Sequence, residues 1–174
     1  AVRYADAHGV LMVVAAGNDG ASLDTASNYP TPYYTGGGRA HDWIEVGASS
    51  WRGGDTLAVS FSNYSHDRVD VFAPGEDILS TGPGGGYARL SGTSMAAPVV
   101  TGLAALIMSY YPNLTAAQVK QIILDSATRY NSPSLLPGVR TGATVPFASL
   151  SVTGGIVNAY RALKLARERS AGTH

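Results

Sequence analysis

Two apolar runs frame the chain. The first, at 10–15 (Val-Leu-Met-Val-Val-Ala), is short and rich in β-branched residues, the pattern of a parallel strand covered on both faces. The second, at 99–110, holds Val, Leu, Ala, Ile and Met without a charge. It is too long for a strand and reads as a buried helix rather than an amphipathic surface helix. Shorter apolar stretches at 43–48, 57–61, 69–73, 77–81 and 87–91 read as further strands, punctuated by Pro74-Gly75 and by a hairpin tip at Gly84-Gly85-Gly86. Residues 1–8 look helical, with Gly9 as the C-cap. Thr115 and Gln118 have capping-box spacing, and Val119, Ile122 and Ile123 give the helix that follows its apolar face. A helix feeding a buried strand is half of a βαβ unit, so the pattern predicts an α/β domain. Its sheet is expected to be mainly parallel, with 10–15 near the centre and the 99–110 helix behind it. Residues 131–153 are Pro-, Ser- and Gly-rich and read as irregular, and 167–174 read as a polar tail or the start of a linker.

Composition narrows the function classes. At 174 residues and 45% hydrophobic the chain can bury a core of its own. Twelve basic residues balance twelve acidic ones, which gives no electrostatic case for a nucleic-acid or anionic-membrane partner. The absence of cysteine excludes a disulfide scaffold and thiolate-held metal. No run of eighteen apolar residues is present, so no membrane-spanning segment is expected. The chain opens without methionine, directly into a helix, and reads as a piece of something longer.

The candidate chemistry lies between the glycine-rich hairpin and the apolar helix, at Ser91-Gly92-Thr93-Ser94-Met95-Ala96-Ala97-Pro98. Gly92 allows a sharp turn, which places Thr93 and Ser94 at a helix N-terminus. A serine there is either an N-cap or a nucleophile whose developing charge is met by free N–H groups. Asn18 follows the first apolar strand between Gly17 and Gly20. It is either an ordinary turn residue or a polar group at the carboxyl end of a parallel strand, where α/β sheets bind ligands. No lysine follows Gly92-Thr93-Ser94, so this is not a phosphate-binding loop. His8, His41, His66 and His174 lie in no shared motif and read as surface histidines. Asn63-Tyr64-Ser65 and Asn113-Leu114-Thr115 are glycosylation sequons, the second of them coinciding with a helix cap.

Taken together, Gly92-Thr93-Ser94-Met95-Ala96-Ala97-Pro98 with Gly102, and the run from Val10 to Asn18 ending in Ala16-Gly17-Asn18, resemble the nucleophile and oxyanion signatures of the subtilisin-like serine proteases. Ser60-Phe61-Ser62-Asn63, Ala73-Pro74-Gly75 and the stretch from Gly155 to Leu163 are also similar to that family. The resemblance implies a three-layer subtilisin-like α/β fold, with helices on both faces of a mainly parallel sheet. It covers residues 1–166 and corresponds to the second half of a catalytic domain. It further implies a secreted or cell-envelope serine endopeptidase acting through an acyl-enzyme on Ser94, with Asn18 in the oxyanion hole. Ala15, Ala16, Gly17, Asn28, Tyr29 and Thr93 would line the substrate site. The triad Asp and His precede Ser in the family's order, so both would lie upstream. The expected partners are a protein or peptide substrate and the N-terminal half of the domain. No cofactor is required, and structural calcium is possible without assignable ligands. Two alternatives stand beside this: an inactive subtilase-like binding module, and an α/β-hydrolase esterase using Ser94, Asp125 and His174. The second needs a buried apolar strand directly before the serine, which Arg89 and Ser91 make a poor fit.

Overall fold

A strand is buried from both faces when its side chains alternate into two packed layers, and here that strand is Trp43–Ser49. A computed structural model describes residues 1–172. The elements are α1 (Val2–Ala7), β1 (Met12–Ala15), β2 (Trp43–Ser49), β3 (Val71–Pro74), β4 (Ile78–Thr81), β5 (Tyr87–Leu90), α2 (Thr93–Tyr110), α3 (Ala116–Asp125), β6 (Thr128–Arg129), β7 (Pro133–Leu135), β8 (Thr144–Pro146), β9 (Gly155–Ile156) and α4 (Ala159–Ala171). The main sheet has the order β1-β2-β3-β9-β6. β1, β2, β3 and β9 run parallel, and β6 pairs antiparallel to β9. The mainly parallel α/β sheet expected from the sequence is present.

The two faces of the sheet carry different coverings. Ile44, Val46, Ala48, Val71 and Ala73 pack against Ala96, Val100, Leu103 and Ile107 of α2, and beyond them against α3 and α4. The opposite face, with Ala16, Val69 and Phe72, is covered by Leu23, Leu57, Phe147 and Leu150, from loops and short 3₁₀ turns. α3 starts at the expected capping box: the Thr115 hydroxyl accepts from the Gln118 N–H and the Gln118 side chain accepts from the Thr115 N–H. Removing such a cap costs about 1 kcal/mol.

Several sequence expectations are corrected. β1 is not central: it forms one edge of the described sheet, and all four of its residues are only half-buried. Its continuous apolar run does not distinguish an edge strand from an inner one. α2 is buried along one face only. Val99 and Leu106 are exposed, and with Pro74, Gly102, Val157 and Ala159 they border an apolar groove. α2 is also apolar enough over its eighteen residues to span a bilayer by length and composition, yet it packs on β1, β2 and β3 as the core helix of this fold. Residues 57–61 form no strand: Leu57 follows a 3₁₀ turn, and only Ala58 makes a bridge, to Ser49. The 131–153 stretch holds the β7–β8 hairpin, with the buried Ser134 hydroxyl accepting from the Ala58 N–H at 3.2 Å. The polar residues from Arg167 continue α4 to Ala171, because Ala162 and Ala166 give this charged helix a buried inner stripe. Thr173 and His174 of the expected tail lie outside the described residues.

Buried within β2 is Glu45, 1% exposed, with its Oε2 unpartnered. Beside it is Asp70, 4% exposed, whose carboxylate accepts from the Glu45 N–H at 2.7 Å. Burial pushes both carboxyls above the usual carboxylate range. A hydrogen bond from Asn28 pulls Glu45 back in part, and Lys120 at 3.9 Å does the same for Asp70. In the unfolded chain both groups ionise at ordinary values. Their contribution to stability is therefore complete in acid and is lost as pH rises through the raised folded values. Glu45→Gln removes one of these titrations. Thermal melts at a series of pH values should show the variant gaining on the wild type from the ordinary carboxyl range upward, then levelling off. A difference that is flat with pH would contradict the buried-carboxyl account. The open edge of β1 and the apolar face of α2 yield a second expectation: the 174-residue chain purified alone should self-associate. Sedimentation showing a monodisperse monomer would contradict it.

Candidate active site

The site begins where β3 ends. Gly75 is needed there because a side chain would come within 2.7 Å of the Ala48 Cβ and 2.9 Å of the Gly92 carbonyl oxygen. With no side chain in the way, the Gly92 N–H donates to the Gly75 carbonyl at 2.8 Å, which brings Gly92 to the head of α2. The β4–β5 hairpin is drawn in at the same point, the Ser91 hydroxyl accepting from the Asp77 N–H at 2.9 Å. Gly92, not Ser94, occupies the N-cap position of α2. Ser94 lies in the first turn, exposed, and its hydroxyl is not spent on capping. Pro98 has no N–H for the carbonyl four residues earlier, which is that of Ser94.

The cap is supplied from the far end of β1. The Asn18 Oδ1 accepts from the Thr93 N–H at 2.9 Å and from the Thr93 hydroxyl at 2.9 Å. The same hydroxyl accepts from the Gly17 N–H at 3.2 Å, and Thr93 is fully buried. With Oδ1 committed, the Asn18 amide nitrogen is the free end. It lies 3.6 Å from the Cβ position of Gly92, as does the Ser94 backbone nitrogen. Two N–H donors thus flank one point at the positive end of an eighteen-residue helix with no acidic residue in its first turn.

The remaining residues expected at the site are placed unequally. Ala15 and Gly17 border the Asn18 turn, and Ala16 is wholly buried. Asn28 folds inward, its Nδ2 donating to the Ala15 carbonyl at 2.8 Å and reaching Glu45 Oε1 at 3.5 Å. Tyr29, the next residue, is 80% exposed. Gly17 takes a left-handed φ of 102°, and a side chain on it would meet the Asn63 carboxamide and Asn28 Oδ1. Asn63 was visible in the sequence only as part of Ser60-Phe61-Ser62-Asn63 and as a sequon. It is 2% exposed with its carboxamide engaged on the Asn18 turn, which leaves no room for a glycan. Asn113, in the other sequon, is exposed and accepts from the Ser170 hydroxyl at 2.8 Å.

Among the described residues no histidine hydrogen-bonds Ser94. His8 stacks on Tyr4, His41 lies 3.6 Å from Asp6, and His66 lies 3.0 Å from Asp67. His174 lies outside them. Asp125 is held at the end of α3 by Arg169 at 2.6 Å and Gln121 at 2.7 Å. Burial acts to raise its carboxyl, but these two partners outweigh it and hold it below the usual range. The segment before Ser94 is the exposed hairpin strand β5, not a strand of the main sheet, so the hydrolase geometry is not formed. No group of three or more His, Asp or Glu side chains among the described residues could hold a metal ion, and no calcium ligands are assigned.

Known proteins resemble this chain over much of its length. The model of the subtilase family matches residues 1–142. A thermostable alkaline protease of Halalkalibacterium halodurans is 42% identical over 135 residues, covering 78% of this chain and 34% of the relative. An intracellular serine protease of Paenibacillus polymyxa is 42% identical over 141 residues, covering 78% of this chain and 40% of its own length. Among solved structures, one of subtilase cytotoxin SubAB assembly aligns with a TM-score of 0.75 at 26% identity, over 97% of this chain and 53% of that one. The self-cleaved protease domain of PatA aligns with a TM-score of 0.68 at 31% identity, over 96% and 54%. The chain thus spans less than half the length of these two relatives and about half of these two structures. A parallel sheet, a core helix opening on Gly-Thr-Ser and an asparagine locked to its first turn are accompanied by a family match over most of the sequence, and the chain belongs to the subtilase family.

Proposed function

We propose that the complete protein is a serine endopeptidase with Ser94 as nucleophile and the Asn18 amide and Ser94 N–H as oxyanion donors. The observation that carries this reading is the pair of bonds from Thr93 to Asn18 Oδ1, which commits the oxygen and leaves the Asn18 amide nitrogen beside Gly92 at the head of α2. Attack by the Ser94 hydroxyl on a peptide carbonyl puts negative charge on the carbonyl oxygen, where preorganised donors do most for the barrier. A base must take the hydroxyl proton and return it to the leaving amine; water then releases the acyl group from Ser94 by the same route. We assign that base and its orienting carboxylate to a His and an Asp upstream of Ala1, in the family's order, on the N-terminal half of the domain. The reaction so written needs no cofactor. Ala15, Gly17, Asn28 and Tyr29 are proposed to border the substrate, and the buried Thr93 to act on it only through Asn18. A secreted or cell-envelope location is likewise a proposal, to be tested by fractionation, since one similar protease is named intracellular.

The test uses the complete protein. Ser94→Ala should abolish peptide hydrolysis and labelling by a fluorophosphonate. Asn18→Ala should still label, more slowly, with kcat down by about 10²–10³-fold; that range is the one known for this donor in the subtilisin family, not one obtained from the present geometry. KM should change little, because the amide meets charge that develops after binding. A Ser94→Ala protein that still cleaves would remove the nucleophile. Unchanged kcat with raised KM in Asn18→Ala would make Asn18 a binding residue. A folded complete protein that neither cleaves nor labels would instead be a binding module.

A further inference from the structure

The Asn18 turn is held from a second side, by a single buried residue. The Asn63 N–H donates to the Gly17 carbonyl at 2.9 Å, and its Nδ2 donates to the Ala16 carbonyl at 2.9 Å. Its Oδ1 accepts from the Asp19 N–H at 3.0 Å and from the Ala21 N–H at 2.9 Å. Four main-chain groups of the turn, on both sides of Asn18 in sequence, therefore end on Asn63. Within the turn, Gly17 gives up its side chain to the space that the Asn63 carboxamide fills. Asn63 has little freedom of its own. It is 2% exposed, and the neighbouring Ser62 hydroxyl donates to the Asn63 carbonyl at 2.9 Å while accepting from the Ala48 N–H of β2 at 2.9 Å. The chain thus ties β2 to Ser62, Ser62 to Asn63, and Asn63 to the main chain that carries Asn18.

From this we infer that Asn63 is a positioning residue for the oxyanion donor. It sets where the Asn18 amide sits relative to Ser94 without touching substrate. The inference rests on the proposed roles of Asn18 and Ser94. A carboxamide is the one side chain of this size that offers both an acceptor for the Asp19 and Ala21 N–H groups and a donor for the Ala16 carbonyl. An isosteric carboxylate keeps the acceptors but sets an oxygen against that carbonyl. Loss of either function leaves buried main-chain groups unpaired and lets the turn shift. A displacement of a fraction of an ångström at an oxyanion donor acts on the transition state more than on the bound substrate.

The test is a double-mutant cycle on the complete protein, with Asn63→Ala and Asn63→Asp each made in the wild type and in Asn18→Ala. In the wild type, kcat should fall by about tenfold or more with KM nearly constant, while fluorophosphonate labelling persists. In Asn18→Ala the same substitutions should change kcat by less than about twofold, because the group that they misplace is already gone. Equal losses in both backgrounds, or a folded Asn63 variant with wild-type kcat, would overturn the inference. So would failure of both variants to fold, which would make Asn63 a residue of the core alone. Unchanged kcat in Asn18→Ala itself would overturn the oxyanion reading and this inference together. A loss there without a coupled loss at Asn63 would overturn this inference alone.

Discussion

The amide and the hydroxyl of Thr93 converge on one acceptor, the carboxamide oxygen of Asn18. A backbone N–H can only donate, so the carboxamide has one admissible orientation, with its oxygen on Thr93 and its nitrogen left beside Gly92. The bond also satisfies the first N–H of a helix whose cap residue, glycine, has no side chain to do so. These bonds, with that of the Gly17 N–H to the Thr93 hydroxyl, join the end of β1 to the head of α2. Their geometry depends on everything that fixes those two points: the Gly75–Gly92 approach on one side and the bed of β1, β2 and β3 under α2 on the other.

That bed explains why the charged residues of the domain are arranged as they are. β2 is buried at all seven positions, so its single acid, Glu45, has no route to solvent. The Asn28 amide, which also braces the Ala15 carbonyl, is its hydrogen-bond partner. A carboxyl in such a place is tolerated when it is held neutral or paired, and here burial favours the neutral form. The Asn18 turn therefore rests on polar groups that are mostly hydrogen-bonded.

The sequence made some of this legible and hid the rest for physical reasons. Ser94 and Asn18 stood out because each lies in a local string that resembles a subtilase signature; position alone left a helix cap and a turn residue as open alternatives. The capping box at Thr115 and the turn at Pro74-Gly75 are local in the same way. The edge position of β1 was hidden because hydropathy reports the faces of a strand and not its hydrogen-bonding neighbours. β2 was recognisable as a strand, but the Glu within it concealed that it is the most buried one. The β7–β8 hairpin was masked by turn-forming residues, and the end of α4 by charges on its outer surface. Thr93 and Asn63 act across 75 and about 45 residues of sequence respectively, and no local pattern announces such partners.

The length of that span has a bearing on how the protein acquires its chemistry. The Asn18–Thr93 bond closes a loop of 75 residues. β2 and β3, the strands that hold α2 in place, are both formed from chain inside that loop. Closure of so long a segment carries an entropic cost that local contacts cannot offset until the sheet is assembled, and parallel pairings of this kind form slowly. The Asn18–Thr93 contact is consequently expected to close only once the sheet between its ends has formed. A chain folded short of that point would carry Ser94 on a helix whose first N–H has no acceptor, so on the function proposed above the oxyanion pair is complete only in the assembled domain.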